Sequence, residues 1–246
     1  MLAWIIVFSL LGSVGAVLGA ALVLLLSEKF RKILVPNLIS YATGTLLGAV
    51  FLGLIPKALE KSSSPAILAW LLAGILFFFV MEKLVLWRHC HLPDCDVHAS
   101  AGPLVLIGDA FHNFTDGVII AGAFLLSMPL GVATGLAVVS HEIPQELGDF
   151  AILLESGYSR GQALLYNTMS ALATLPGALL AYYFLANMMQ AVPYILLVGA
   201  ASFLYIALVD LTPYLHRRFG LADSLLQLGL IMSGMGTIWL LRLSQH

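Results

Sequence analysis

Charge is scarce in this chain. Of 246 residues only 10% are Asp, Glu, Lys or Arg, against roughly a quarter in a soluble globular domain. With 61% hydrophobic residues and a mean hydropathy of +1.00, an ordinary water-exposed surface is excluded. A net charge of -2 leaves no basic surplus, so neither nucleic acid nor an anionic surface is expected as a partner. Cysteine is almost absent: Cys90 and Cys95 share one polar loop, too few for a disulfide framework. The apolar start has no positive leader and is too long for the core of a secretory signal, so it reads as a first span. Basic residues are missing altogether between Arg88 and Arg160.

What the chain does have is long apolar runs. Windows of about 18 to 25 apolar residues are enough to cross the hydrocarbon core of a bilayer. They fall at 2–26, 36–55, 65–83, 103–126, 130–154, 161–186, 192–212 and 223–242. The expected fold class is therefore all-α integral membrane, with eight transmembrane helices in one domain over 1–246 and the lipid bilayer as its surroundings. Lys29, Arg31, Lys32, Lys83, Arg88, Arg160, Arg217 and Arg218 border the odd-numbered loops, and Lys57, Lys61 and Arg242 the other side. The positive-inside rule then places the odd loops in the cytosol and both termini outside it. Setting Pro56 against Pro213 aligns Thr45-Leu46-Leu47 with Ser202-Phe203-Leu204. Those segments lie five spans apart and so run in opposite directions. An inverted repeat of spans 1–3 and 6–8 around a central hairpin of spans 4 and 5 is the expectation.

Nearly all the ionisable groups inside apolar stretches gather in that hairpin: Asp109, His112, Asp116, His141, Glu142, Glu146 and Asp149. An ionised side chain at the bilayer centre costs about 2.5 to 3.5 kcal/mol on insertion scales, so the five acids together cost roughly ten or more. With no Lys or Arg nearby in sequence, ion pairing does not offset this. Protonation, hydration or bound cations must, and imidazole with carboxylate suits a cation best. Asp109, His112, Asn113 and Asp116 stand at i, i+3, i+4 and i+7, one stripe of a helix. His141, Glu142, Gln145, Glu146 and Asp149 form a second stripe on span 5. The turn near Ser127 is short, so the two helices are antiparallel neighbours. Counting back from the turn at 1.5 Å per residue sets Asp116 level with His141, and His112 level with Gln145. Pro144 removes the hydrogen bond to the Ser140 carbonyl, and a kink beside the cluster is expected.

These residues resemble the paired signatures of the Zrt/Irt-like (ZIP) metal transporters, in particular the histidine-rich subfamily. The carriers are His112-Asn113-Phe114-Thr115-Asp116-Gly117 and His141-Glu142-Ile143-Pro144-Gln145-Glu146-Leu147-Gly148-Asp149. Glu82-Lys83 with Trp87 to His91, and Phe203-Leu204-Tyr205 through Asp210 and Pro213, are similar to the third and seventh spans of that family. The resemblance implies a transporter, not an enzyme. Its substrate would be zinc, or iron, manganese or cadmium, moved toward the cytosol with no catalytic cofactor, in a homodimer in the cell (plasma or inner) membrane. By position, a first metal meets His112, Asp116, His141 and Gln145, with Glu142 nearby. A second meets Asn113, Asp116 and Glu142, with Glu146 and Asn167 in reach. Asp109, Asp149, Asn167 and Asp210 would line the path or support the ligands. Gln145 stands where the subfamily usually has His. Gly53 and Lys57 stand where relatives commonly carry His and an acid, and Leu175 where some supply a carboxylate.

Two other readings remain. The loop residues His89, Cys90, His91, Asp94, Cys95, Asp96 and His98 form a candidate metal-receiving segment on the cytosolic side. His141-Glu142-Ile143-Pro144-Gln145 is one residue from the HExxH of an intramembrane metalloprotease, which needs a second His at i+4. A metal sensor without flux is the third class.

Overall fold

Helix starts follow from local capping chemistry. Ser27 accepts a hydrogen bond from Phe30 N, with Glu28 in the first turn of the helix that follows. Ser127 accepts from Leu130 N ahead of another, and Ser159 with Gln162 forms a reciprocal capping box ahead of a third. The computed structural model describes residues 1–62, 64, 66–87, 97–218 and 220–243, with backbone alone at 85–87 and 97–101. It has eight helical stretches: α1 (Leu2–Leu24), α2 (Glu28–Lys61), α3 (Leu68–Trp87), α4 (Val97–Leu126), α5 (Met128–Glu155), α6 (Arg160–Leu185), α7 (Met189–Leu215) and α8 (Leu221–Leu243). No strand occurs among the described residues.

Six of these helices, all but α3 and α5, are long and apolar enough by length and composition alone to cross a membrane. Eight spans were expected. α5 falls short because His141, Glu142, Gln145, Glu146 and Asp149 dilute its hydropathy; the 20 residues of α3 are apolar and of span length, but the side chains at its end, 85–87, lie outside the described residues. Leu18, Leu22, Leu25, Phe184, Leu221 and Leu240 are each more than half exposed. Lipid covers such a surface; water would not tolerate it. The helix α2 begins well ahead of the apolar window at 36, because Ser27 caps it, and it carries Pro36 inside.

Proline shapes α2 and α7 in the same way. Pro56 has no amide hydrogen, so the Leu52 carbonyl four residues back loses its helical donor. The backbone widens to a π-helix over Ala49–Leu54, and Arg242 donates to the Leu52 carbonyl instead. Ahead of Pro213 the same widening covers Ile206–Leu211, where Thr212 Oγ1 donates to Ala207 O at 2.6 Å. A third π-turn, Leu11–Gly15, lies in α1. Around Pro144, by contrast, α5 stays α-helical from Met128 to Glu155.

α4 packs most extensively on α6, α2 on α8 and α3 on α7, while α5 lies between α1, α2 and α4. Two of these crossings require glycine. A Cβ on Gly117 would stand 2.0 Å from Thr174 O, and one on Gly177 2.1 Å from Phe114 O, so α4 and α6 touch backbone to backbone. A Cβ on Gly44 would stand 2.1 Å from Ile231 O in the α2–α8 contact. The apolar core, with Leu46, Val50, Phe124, Val138, Leu196 and Phe203 fully enclosed, surrounds the α4–α5 hairpin.

Gly117→Ala must push α6 away from α4. The expected loss is about 1 to 3 kcal/mol, read as a lower melting temperature of the purified protein in detergent. Gly229→Ala, with nothing within 4 Å of its Cβ, should leave that temperature unchanged or raise it.

Candidate metal site

The hairpin sets the site. α4 ends at Leu126 and α5 begins at Met128, joined through Ser127, so chain direction reverses within one residue. Residues equally far from the turn then face each other. Asp116 and His141 do so: His141 Nε2 lies 3.1 Å from Asp116 Oδ2.

Around that contact four side chains converge, His112 and Asp116 from α4 and His141 and Glu142 from α5. His112 Nε2 is 3.2 Å from His141 Nε2, 3.4 Å from Glu142 Oε1 and 3.8 Å from Asp116 Oδ2. His141 Nε2 is 3.5 Å from Glu142 Oε1. Four ligands around a zinc ion at about 2.0 to 2.2 Å stand roughly 3.3 to 3.5 Å apart at the corners of a tetrahedron. Donor separations of 3.1 to 3.8 Å match those edges. His141 Nδ1 is 2.9 Å from Ala137 O. A carbonyl only accepts, so Nδ1 carries the proton, and in the neutral ring Nε2 presents its lone pair to the cluster. The side chains of Asp116, His141 and Glu142 are fully buried and that of His112 is 14% exposed.

A second group lies one turn along: Asp109, Glu142 and Glu146, each offering an oxygen within 4.8 Å of the others. Glu142 belongs to both groups. Seven carboxylate oxygens, on Asp109, Asp116, Glu142 and Glu146, are buried without a hydrogen-bond donor, and so is Asn167 Oδ1. Among the described residues no Lys or Arg pairs with them; those ion pairs all lie elsewhere. Buried acceptors left so bare are costly. Their lone pairs, imidazole and carboxylate together, suit a divalent ion of borderline hardness such as zinc.

The residues expected from the sequence separate by role. His112, Asp116, His141 and Glu142 form the four-donor group. Gln145, from the next turn of α5, donates through Nε2 to Asp109 Oδ1 at 3.2 Å. Asn113 is held by its neighbours, with Nδ2 donating to Asp109 Oδ1 at 2.9 Å and Oδ1 accepting from Thr174 Oγ1 at 2.8 Å. Glu146 joins Asp109 in the second group, and Asn167 Nδ2 donates to Glu146 O at 3.2 Å. Asp149 is half-buried outside both groups, and Asp210 is exposed on α7. His89, Cys90, His91, Asp94, Cys95 and Asp96 lie outside the described residues, as does the side chain of His98.

Three contacts at and around the site were not read from the sequence, although Phe203, Tyr205 and Glu82 stand in the stretches that resemble the family's seventh and third spans. Thr174 fixes Asn113, Phe203 packs its ring 5.8 Å from that of His141, and Tyr205 donates to Glu82 across the α3–α7 contact. They stand 61, 62 and 123 residues from their partners. A hydroxyl in an apolar run was the only local sign of Thr174.

Comparison with known proteins matches residues 88–242 to the ZIP Zinc transporter family. The chain belongs to that family. It is 36% identical over 213 residues to the zinc transporter ZIP13 of Pongo abelii, an alignment spanning 80% of this chain and 64% of that protein. The ZIP13 homolog of Drosophila melanogaster is 33% identical, with 93% of this chain and 86% of the relative aligned. For ZIP13 of Danio rerio the values are 30%, 88% and 77%. ZIP proteins are transporters, so the near-HExxH run belongs to no protease, in keeping with Gln145 facing Asp109.

Zinc binding at this site should weaken as pH falls, since His112 and His141 must be unprotonated to ligate. Titration calorimetry on the purified protein at several pH values reads this as proton release on binding. Thr174→Val, which frees Asn113, is expected to weaken zinc binding about tenfold. Thr168→Val, whose hydroxyl bonds only the Leu164 carbonyl, should leave it unchanged.

Proposed function

We propose that this chain carries divalent metal, chiefly zinc, across its membrane toward the cytosol through the His112, Asp116, His141 and Glu142 group. The observation that carries the reading is the meeting of four donors from two helices at tetrahedral spacing, with no Lys or Arg among the described residues to neutralise the carboxylates. The three ZIP13 relatives are named zinc transporters, and zinc is the substrate proposed on that likeness. Iron, manganese and cadmium suit the same donors. The second group, Asp109, Glu142 and Glu146, holds a second ion, with Glu142 shared between the two. Asn113, Gln145 and Asn167 orient these carboxylates, and Asp149 and Asp210 line the way in or out.

The transport fold is an inverted repeat of α1–α3 and α6–α8 around the α4–α5 hairpin, within one transmembrane domain over 1–246. Its support is the pair of π-turns, Ala49–Leu54 and Ile206–Leu211, offset by 157 residues, the same offset that relates Pro56 to Pro213. Helix contacts agree, for α2 on α8 and α7 on α3 are the pairs such a repeat exchanges. The basic loops face the cytosol and both termini the other side, in a cell membrane, and the working unit is a homodimer. The direction and orientation rest on charge distribution.

Flux of Zn(II), Fe(II), Mn(II) and Cd(II) into proteoliposomes tests the reading. Saturable zinc flux that drops at least about tenfold in both His112→Ala and Asp116→Ala is expected, in line with the loss of a ligand. Metal binding without flux by the native protein would remove the carrier and leave a sensor.

A further inference from the structure

On the side of the basic loops, a cavity of about 230 Å³ opens between the start of α2, the end of α7 and the start of α8. Arg31 and Lys32 line it from α2, and Arg217 and Arg218 from the segment after α7. Four cations from segments some 186 residues apart thus meet in one pocket. Two of them are already neutralised: Lys32 pairs with Glu28 at 2.5 Å, and Arg218 stands 3.9 Å from Asp223 while donating to the Lys32 carbonyl. Arg31 and Arg217 have no carboxylate within ion-pair distance among the described residues. The Nε of Arg31 is buried without a hydrogen-bond acceptor. Arg217 lies over the Tyr214 ring, 5.1 Å from its centre, which holds the guanidinium at the pocket while leaving its donors open. Gln227 Nε2 is turned to Leu215 O at 3.1 Å, and this contact closes the wall between α7 and α8.

Two unneutralised guanidinium groups in a cavity at the membrane boundary demand an anion with several acceptor oxygens, and phosphate is the one they fit best. The exposed apolar side chains of the helices that form the pocket decide its source. Phe30 and Ile33 neighbour Arg31 and Lys32 in sequence on α2 and are 52% and 53% exposed, and Leu221 and Leu225 in the first turns of α8 are 78% and 60% exposed. A free phosphate has no use for such a surface, whereas acyl chains lie along it. We propose that this pocket binds the phosphate headgroup of an anionic phospholipid, which bridges α2 to α7 and α8.

Native mass spectrometry of the detergent-purified protein tests this, using phosphatidylglycerol and phosphatidylcholine of identical acyl chains, with inorganic phosphate as a third ligand. The native protein should retain phosphatidylglycerol in preference to phosphatidylcholine, and inorganic phosphate at equal concentration should not displace it. Each cation near the surface is worth a factor of roughly five, so the preference should fall about 25-fold in the double variant Arg31→Gln with Arg217→Gln. Lys29→Gln, a neighbouring cation outside the pocket, should keep it. Unchanged preference in the double variant, equal loss in Lys29→Gln, or displacement by inorganic phosphate would each overturn the proposal. Should the double variant not fold, the exposed Arg217→Gln alone carries the test, with a roughly five-fold fall expected and no change overturning it.

Discussion

A carboxylate inside an apolar bundle has to meet something positive, and among the described residues no Lys or Arg supplies it. Between Arg88 and Arg160 the sequence has no basic residue, and the fold brings none in from elsewhere among the described residues. Seven buried carboxylate oxygens without donors are the consequence. An arginine at this depth would pair with the acids and lower the cost of burying them, but it would also occupy the place of the ion. Leaving the charge uncompensated gives a cation a reason to enter. Glu142 belongs to both donor groups, so the charge of one is part of the other.

The rest of the structure holds that arrangement in place. Backbone contact at Gly117 and Gly177 brings α6 close enough for Thr174 to reach Asn113, and Asn113 in turn holds Asp109. The Ala137 carbonyl selects the tautomer of His141. π-Turns ahead of Pro56 and Pro213 widen α2 and α7, the two inner helices beside the hairpin, and such turns are drawn to functional regions. Proline inside α5 has no such effect, since α-helix persists on both sides of Pro144. Loss of one hydrogen bond is therefore not enough to widen a helix; neighbouring packing decides how the freed carbonyl is satisfied. At Leu52 the partner is Arg242, brought from the far end of the chain.

Much of this protein was determined by its sequence alone. Apolar run length set the helices and their membrane surroundings, because hydrocarbon thickness fixes how many residues a span needs. Spacing at i, i+3, i+4 and i+7 put His112 and Asp116 on one face of α4, and the short turn at Ser127 made Asp116 level with His141, since helical rise is constant. Only tertiary structure decided which donors close the group. Glu142 and Gln145 lie on the same helix three residues apart, and periodicity ranks them alike. In the fold Glu142 Oε1 stands 3.4 and 3.5 Å from the two histidines, while Gln145 donates to Asp109. The same holds for Thr174, Phe203 and the meeting of Arg31 with Arg217. These pairings join residues distant in sequence, and their distances are set by how whole helices cross, which no local pattern records.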